Sequence, residues 1–188
     1  MIEGGPSRDY AHTKAMMRGS PKLWKLLMDK LTKVTANYLR AQAAAGAQAV
    51  QIFDSWVGAL SKEDYTRFVL PYSREVLRAA TEAGVPVIHF GTGTAPFLEE
   101  FASAGGDVVG VDWRLPLDEA WSRLGRARAI QGNLDPTHLL LSAPLLKKAK
   151  REENFDGTTE DFFTQSDWSY LNLAASGPGW LAAGDAAV

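Results

Sequence analysis

Polar and ionisable side chains gather where the apolar runs of this sequence end. Gln51-Ile-Phe53 gives way to Asp54-Ser55, and Val85-Pro-Val-Ile88 to His89-Phe-Gly91-Thr-Gly93. Val108-Val-Gly-Val111 is followed by Asp112-Trp-Arg114, and Ala129-Ile130 by Gln131-Gly-Asn133-Leu-Asp135. In α/β folds the polar residues at the carboxyl ends of strands line the ligand site, which makes Asp54, Ser55, His89, Asp112, Gln131, Asn133 and Asp135 the candidates for hydrogen bonding to a polar ligand. Each has a second reading. Asp54 caps the next segment and Ser55 fills a turn if neither meets a ligand. No His or Lys stands near Ser55 to act as its base, which argues against a covalent nucleophile. His89 is either a general base or ligand, or a buried histidine satisfied by backbone. Arg114 either anchors an anionic ligand or pairs with Asp112. Gly91-Thr-Gly93 after a strand suggests an anion at a helix start, but it lacks the third glycine and the lysine of a phosphate loop. His12 and His138 have no metal-ligand spacing and read as structural or surface residues.

The elements that position these groups follow a strand-then-helix rhythm. Ser20-Pro21 reads as an N-cap with proline at the first helical position, opening a helix with Leu23, Leu27, Leu31, Val34, Tyr38 and Ala41 on one face and Gly46 at its end. A strand follows over residues 47–53. Ser61-Lys-Glu-Asp64 resembles a capping box and opens a helix with Tyr65, Phe68 and Val69 inward, which Pro71 kinks or divides. A further helix carrying Val76, Leu77 and Ala80 closes at Gly84. Then come a strand at 85–90, a helix at 95–104, a strand at 107–112, a helix at 117–124 and a strand at 127–131. Strand then helix, four times over with short turns, implies parallel strands joined by right-handed crossovers.

The 188 residues, 46% hydrophobic and 22% charged, can bury a core but fall short of the roughly 250 residues of a complete eight-stranded α/β barrel. Twenty Lys and Arg against twenty-two Asp and Glu give a net charge of −2, so no global field draws the chain to nucleic acid or an anionic membrane. Cysteine is absent, which removes disulfides, thiolate metal sites and a cysteine nucleophile and fits a reducing cytoplasm. The start has neither a basic nor an apolar leader region, and no apolar run is long enough to span a membrane, so a cytoplasmic protein is expected.

Taken in order, Ile2-Glu-Gly-Gly-Pro-Ser-Arg-Asp9, Gln51-Ile-Phe-Asp-Ser-Trp56, Gly58-Ala-Leu-Ser61, Leu70-Pro-Tyr72, His89-Phe-Gly91, Val109-Gly-Val-Asp-Trp113 and Gln131-Gly-Asn-Leu-Asp-Pro136 resemble the uroporphyrinogen decarboxylase family. The resemblance covers residues 1–141. It implies a partial (β/α)8 TIM barrel of roughly four parallel βα units. By resemblance, too, the activity is removal of carbon dioxide from the acetate groups of uroporphyrinogen III to give coproporphyrinogen III, with no metal or organic cofactor and a homodimer in the full-length family. It carries substrate contacts onto Ser55 and Phe53, and leaves Asp54, His89, Arg114, Gln131 and Asn133 as lining residues. Zinc-dependent methyltransferase relatives hold their metal by a His-x-Cys pair, where this chain has His89-Phe90-Gly91, so the cofactor-free branch is favoured. The family's substrate-gripping arginines, pyrrole-binding aspartate, tyrosine and Gly-His-Gly histidine have no matching position. The chain is therefore expected to be the interior of a larger barrel, inactive alone, and marginally stable or self-associating. A non-catalytic α/β module that binds a porphyrin or another polyanion is the alternative.

Residues 142–188 form an irregular tail without the βα rhythm. There Asp167-Trp-Ser-Tyr170 and Gly177-Pro-Gly-Trp-Leu-Ala-Ala-Gly-Asp-Ala-Ala187 resemble the second flavin-contact segment of FAD-dependent monooxygenases and halogenases, which would place Asp185 at the FAD ribityl chain. No G-x-G-x-x-G fingerprint precedes it, and a truncated or fused reading frame is the expectation.

Overall fold

The computed structural model describes residues 2–125 and 128–136, together with the backbone of four two-residue strands further along. Four parallel strands, β1 (Val50–Asp54), β2 (Val87–Gly91), β3 (Val108–Gly110) and β4 (Ala129–Gln131), pair in sequence order. Helices α1 (Ala11–Gly19) and α2 (Pro21–Ala44) precede β1; α3 (Lys62–Phe68) and α4 (Leu70–Thr81) precede β2; α5 (Leu98–Ala102) precedes β3; and α6 (Leu117–Leu124) precedes β4. In the tail, Thr164–Gln165 pairs antiparallel with Trp168–Ser169, and Ser176–Gly177 with Trp180–Leu181.

The local rules of the chain explain most of these boundaries. Pro21 stands in the first turn of α2, where its missing N–H costs nothing, although Ser20 makes no side-chain cap. Ser61 does cap α3, its hydroxyl oxygen accepting the Asp64 N–H at 3.2 Å. Asp64 does not reach back to complete the box; its carboxylate takes Arg18 from α1. Pro71 divides the helix as expected, with Val69 (φ −123°, ψ −49°) as the joint between α3 and α4. The helix expected over 95–104 is a 3-10 turn, Ala95–Phe97, followed by the short α5.

The core fills the layer between the sheet and the helices. Val50, Val87 and Val109 meet Tyr65, Leu77, Ala80, Phe97, Leu98 and Phe101, all buried. The opposite face is left uncovered: Gln51, Phe53, Ile88, Phe90 and Val108 are only partly buried there, and Ala129 and Gln131 are exposed.

The apolar face expected of α2 is not the one it buries. An amphipathic helix ordinarily turns its apolar stripe to the core, yet Leu23, Leu31, Val34 and Tyr38 are all exposed, Val34 at 59%. The buried row is Trp24, Thr32, Ala36 and Leu39. Small Thr32 and Ala36 let α2 lie close to its neighbour α4, and the Trp24 indole N–H donates to the Phe68 carbonyl at 2.9 Å where α3 meets α4. Urea unfolding of two variants measures the difference. Leu39→Ala is expected to cost about 2–5 kcal/mol, whereas Val34→Lys should change stability by less than about 0.5 kcal/mol; the reverse order would restore the other face.

Candidate functional site

Alternation along the strands sorts the candidate residues into two sets. Register aligns Val50 with Val87, Ile52 with His89 and Val109, and Asp54 with Gly91. Side chains of paired residues in a parallel ladder share a face, and buried Val50, Val87, His89 and Val109 place this set against the helices. The other set, Gln51, Ile88, Val108 and Ala129, then Phe53, Phe90, Gly110 and Gln131, lies on the uncovered face. The Phe53 and Phe90 rings meet edge to face there, 5.8 Å between centroids at 71°. Phe90 also occupies the space above Gly110, where a Cβ would fall 2.8 Å from its Cδ2. An aromatic pair beside Gln131 is a surface on which a flat, partly apolar ligand can lie.

Just beyond these strand ends the loops are tied to one another. The Thr92 hydroxyl donates to the Ser55 carbonyl, and the Gly58 N–H donates to the Thr92 carbonyl at 3.1 Å. Asp112, its side chain almost wholly buried, accepts the Gly93 N–H at 2.6 Å on Oδ2 and the Arg114 N–H at 3.0 Å on Oδ1. Its Oδ2 also pairs with the Arg114 guanidinium. That guanidinium lies 4.2 Å from the centroid of the Trp113 ring and is half exposed. The Asn133 amide donates to the Asp112 carbonyl at 3.2 Å and to the Leu115 carbonyl. Arg114 therefore pairs with Asp112 while still offering charge to solvent on the loop that follows β3.

Asp54 and His89 lie on the helix side. His89 is fully buried, and its Nε2 stands 2.8 Å from Asp54 Oδ2, a carboxylate acceptor that puts the proton on Nε2. The Ser73 hydroxyl of α4 donates to the same oxygen at 3.2 Å. The His89 ring stacks on Phe101 at 3.8 Å, and its Nδ1 is buried without a hydrogen-bond partner among the described residues. The Tyr65 hydroxyl is likewise buried and makes no well-formed hydrogen bond, with the Ser73 side chain a polar neighbour that acts to lower its pKa. Burial first, then the Asp54 charge, push its phenol well above the ordinary value of 10.0. The unfolded phenol ionises near that ordinary value and the folded one only higher, so the associated stability is whole below about pH 10 and declines as pH rises toward the folded value. Tyr65→Phe is expected to flatten the alkaline fall in urea midpoint and to be near neutral at pH 7, because the lost hydroxyl makes no well-formed hydrogen bond. An unchanged alkaline limb would refute the assignment.

A family model described as uroporphyrinogen decarboxylase (URO-D) matches residues 1–158. The chain belongs to the uroporphyrinogen decarboxylase family. Over 152 residues it is 55% identical to the uroporphyrinogen decarboxylase of Streptomyces coelicolor, covering 81% of this chain and 43% of that protein. Over 144 residues it is 58% identical to that of Sorangium cellulosum, covering 77% and 41%. Over 154 residues it is 54% identical to that of Thermobifida fusca, covering 82% and 42%. The chain thus spans about two-fifths of the length of the curated relatives it matches. The uroporphyrinogen decarboxylase fold is a TIM barrel, and the four parallel βα units are part of one.

Within that family fold, Phe53 and Gln131 share the uncovered face, Arg114 and Asn133 are tied to Asp112 in the loops beyond β3 and β4, and Ser55 is nearly buried in the loop that follows β1. The structure sets Asp54 and His89 on the other side of the sheet, paired with each other. Thr92 and Asp112 organise these loops: both stand in the quoted strand-end motifs, but nothing in the sequence announces that Thr92 bonds the Ser55 carbonyl or that Asp112 takes the Gly93 N–H. His138 and Asp185, with the flavin-contact reading of Asp185, lie outside the described residues. No helix among the described residues is long and apolar enough to cross a membrane.

Proposed function

We propose that this chain forms part of the substrate cleft of a uroporphyrinogen decarboxylase, whose reaction converts uroporphyrinogen III to coproporphyrinogen III and carbon dioxide. The observation that carries the reading is the uncovered sheet face, which holds the Phe53–Phe90 pair and Gln131 at the strand ends, with the half-exposed Arg114 on the loop that follows β3. A porphyrinogen presents an apolar tetrapyrrole body, puckered at its methylene bridges and ringed by carboxylates, which this combination suits. Protonation of a pyrrole makes the macrocycle an electron sink for the departing carboxylate, and each lost carboxylate leaves as carbon dioxide while a proton replaces it on carbon. The protein then supplies orientation, exclusion of water and hydrogen bonds. In this reading Phe53 lines the cleft, Ser55 hydrogen-bonds a substrate side chain, and Arg114 attracts a carboxylate. In this reading the chain binds substrate without turning it over alone, since the described residues supply four parallel strands where a closed barrel has eight. A cytoplasmic setting and the homodimer of the full-length family belong to the same reading.

Titration with coproporphyrin III, followed by the shift of its main absorbance band, tests it. Saturable binding by the wild type, weakened about tenfold or more by Arg114→Ala and weakened less by Ser55→Ala, is the expected result. Absence of saturable binding would sink the proposal, and coproporphyrinogen formation by the purified chain would overturn the claim that it does not turn substrate over.

A further inference from the structure

The uncovered face leaves unexplained how Arg114, on a loop, is held where a ligand carboxylate can use it. An arginine free to sample its rotamers loses side-chain entropy on being fixed, and a guanidinium pre-set in one orientation loses less per hydrogen bond formed. Three features fix this one. Its backbone N–H is held by Asp112 Oδ1 at 3.0 Å, its guanidinium Nη1 is held by Asp112 Oδ2, and its guanidinium carbon lies over the Trp113 ring, 4.2 Å from the centroid. Guanidinium carries five N–H donors in a rigid fork, so pairing Nη1 with Asp112 still leaves donors for a second acceptor.

Asp112 does more than hold Arg114. The same buried carboxylate takes the Gly93 N–H at 2.6 Å, and Gly93 belongs to the exit of β2, beside the Thr92 that is bonded to the exit of β1. A carboxylate that ties two strand exits together and orients a cation between them has a role distinct from lining the cleft.

We propose that Asp112 is a positioning residue for anion binding at these loops: it locks the exits of β2 and β3 together and holds the Arg114 guanidinium pre-oriented toward a ligand carboxylate. The proposal rests on the porphyrin-binding reading for its ligand, and on the loop geometry alone for the lock.

Two measurements on the full chain test these parts separately. In the coproporphyrin III titration, Asp112→Asn is expected to weaken binding about tenfold, and the double variant Asp112→Asn/Arg114→Ala should bind no more weakly than Arg114→Ala. Losses that multiply in the double variant, or an Asp112→Asn protein that binds like the wild type, would overturn the positioning role. Asp112→Glu, which keeps the charge and moves it by one methylene, should also weaken binding; wild-type affinity there would mean that general charge suffices and would likewise overturn it. Amide hydrogen exchange supplies a readout that does not depend on the ligand. Asp112→Asn should deprotect the Gly93 and Arg114 amides while those of Ile88 to Phe90 stay protected, and unchanged protection at Gly93 would disprove the lock. If the wild type bound no porphyrin, the proposed function would fall, while the exchange result would still decide the lock.

Discussion

Phe101→Ala is expected to destabilise the fold by about 3–5 kcal/mol, the upper end of the range for truncating one core side chain. Phe101 is fully buried in α5, and its ring joins the two halves of the layer beneath the sheet. On one side it stacks on His89 of β2, 3.8 Å between centroids at 18°, and on another it lies 6.0 Å from Tyr65 of α3. Its edge occupies the space over Gly91, where a Cβ would come within 2.9 Å of the ring. Truncation leaves a void bounded by a polar ring, a phenol and backbone, none of which can collapse far. Part of the cost therefore comes from the cavity as well as from lost transfer free energy. Because His89 and Phe90 are adjacent on β2 and face opposite sides, loosening the helix side also loosens the aromatic pair on the uncovered side. Urea unfolding checks the stability loss. A cost below about 1 kcal/mol would show that the ring is not packed in the core, and Phe101→Leu, which refills much of the space, should lose less.

What is legible in the sequence is what local rules decide. The four strands announce themselves because apolar runs of strand length stand between glycine-ended helices, and the observed strands fall within or one residue beyond each expected span. The Ser61 cap and the division near Pro71 are decided within four residues of chain, and both are readable. The pairing of Arg114 with Asp112, two residues apart, is one of the two readings that the spacing allows for Arg114. The α2 face is misleading because hydrophobic periodicity favours large side chains, while close packing on α4 is achieved by Thr32 and Ala36. Helix α1 gives no periodic signal because it buries only Met17.

The site is less legible, since its bonds are non-local. Asp54 and His89 are 35 residues apart, and only the β1–β2 register shows them on one face. Ser73 reaches Asp54 from the middle of a helix, and Asp112 reaches Gly93 across 19 residues. Types and strand-end positions identify the residues, but the side of the sheet each one faces depends on burial by helices that lie elsewhere in the chain.

Gly58→Ala is expected to cost about 2–4 kcal/mol and to abolish measurable coproporphyrin binding, because the added carbon meets backbone. A Cβ at Gly58 would fall 2.6 Å from Gly93 Cα and 2.7 Å from the Gly93 carbonyl carbon, and closer still to the Thr92 carbonyl oxygen. None of these atoms is the end of a flexible side chain that could swing aside. The approach is close from both directions, since a Cβ at Gly93, itself at φ +67°, would lie 3.3 Å from Gly58 Cα. Relief requires the exits of β1 and β2 to separate, which breaks the Gly58 N–H bond to the Thr92 carbonyl and strains the Thr92 bond to Ser55. Gly93 then moves away from Asp112, so the same substitution attacks the lock on Arg114 without touching either charged residue. Gly19→Ala is the control, for nothing lies within 4 Å of a Cβ there and the change should be close to neutral. A Gly58→Ala protein with wild-type stability and wild-type porphyrin affinity would mean that the two loops are not in contact, and the candidate site built on their contact would have to be abandoned.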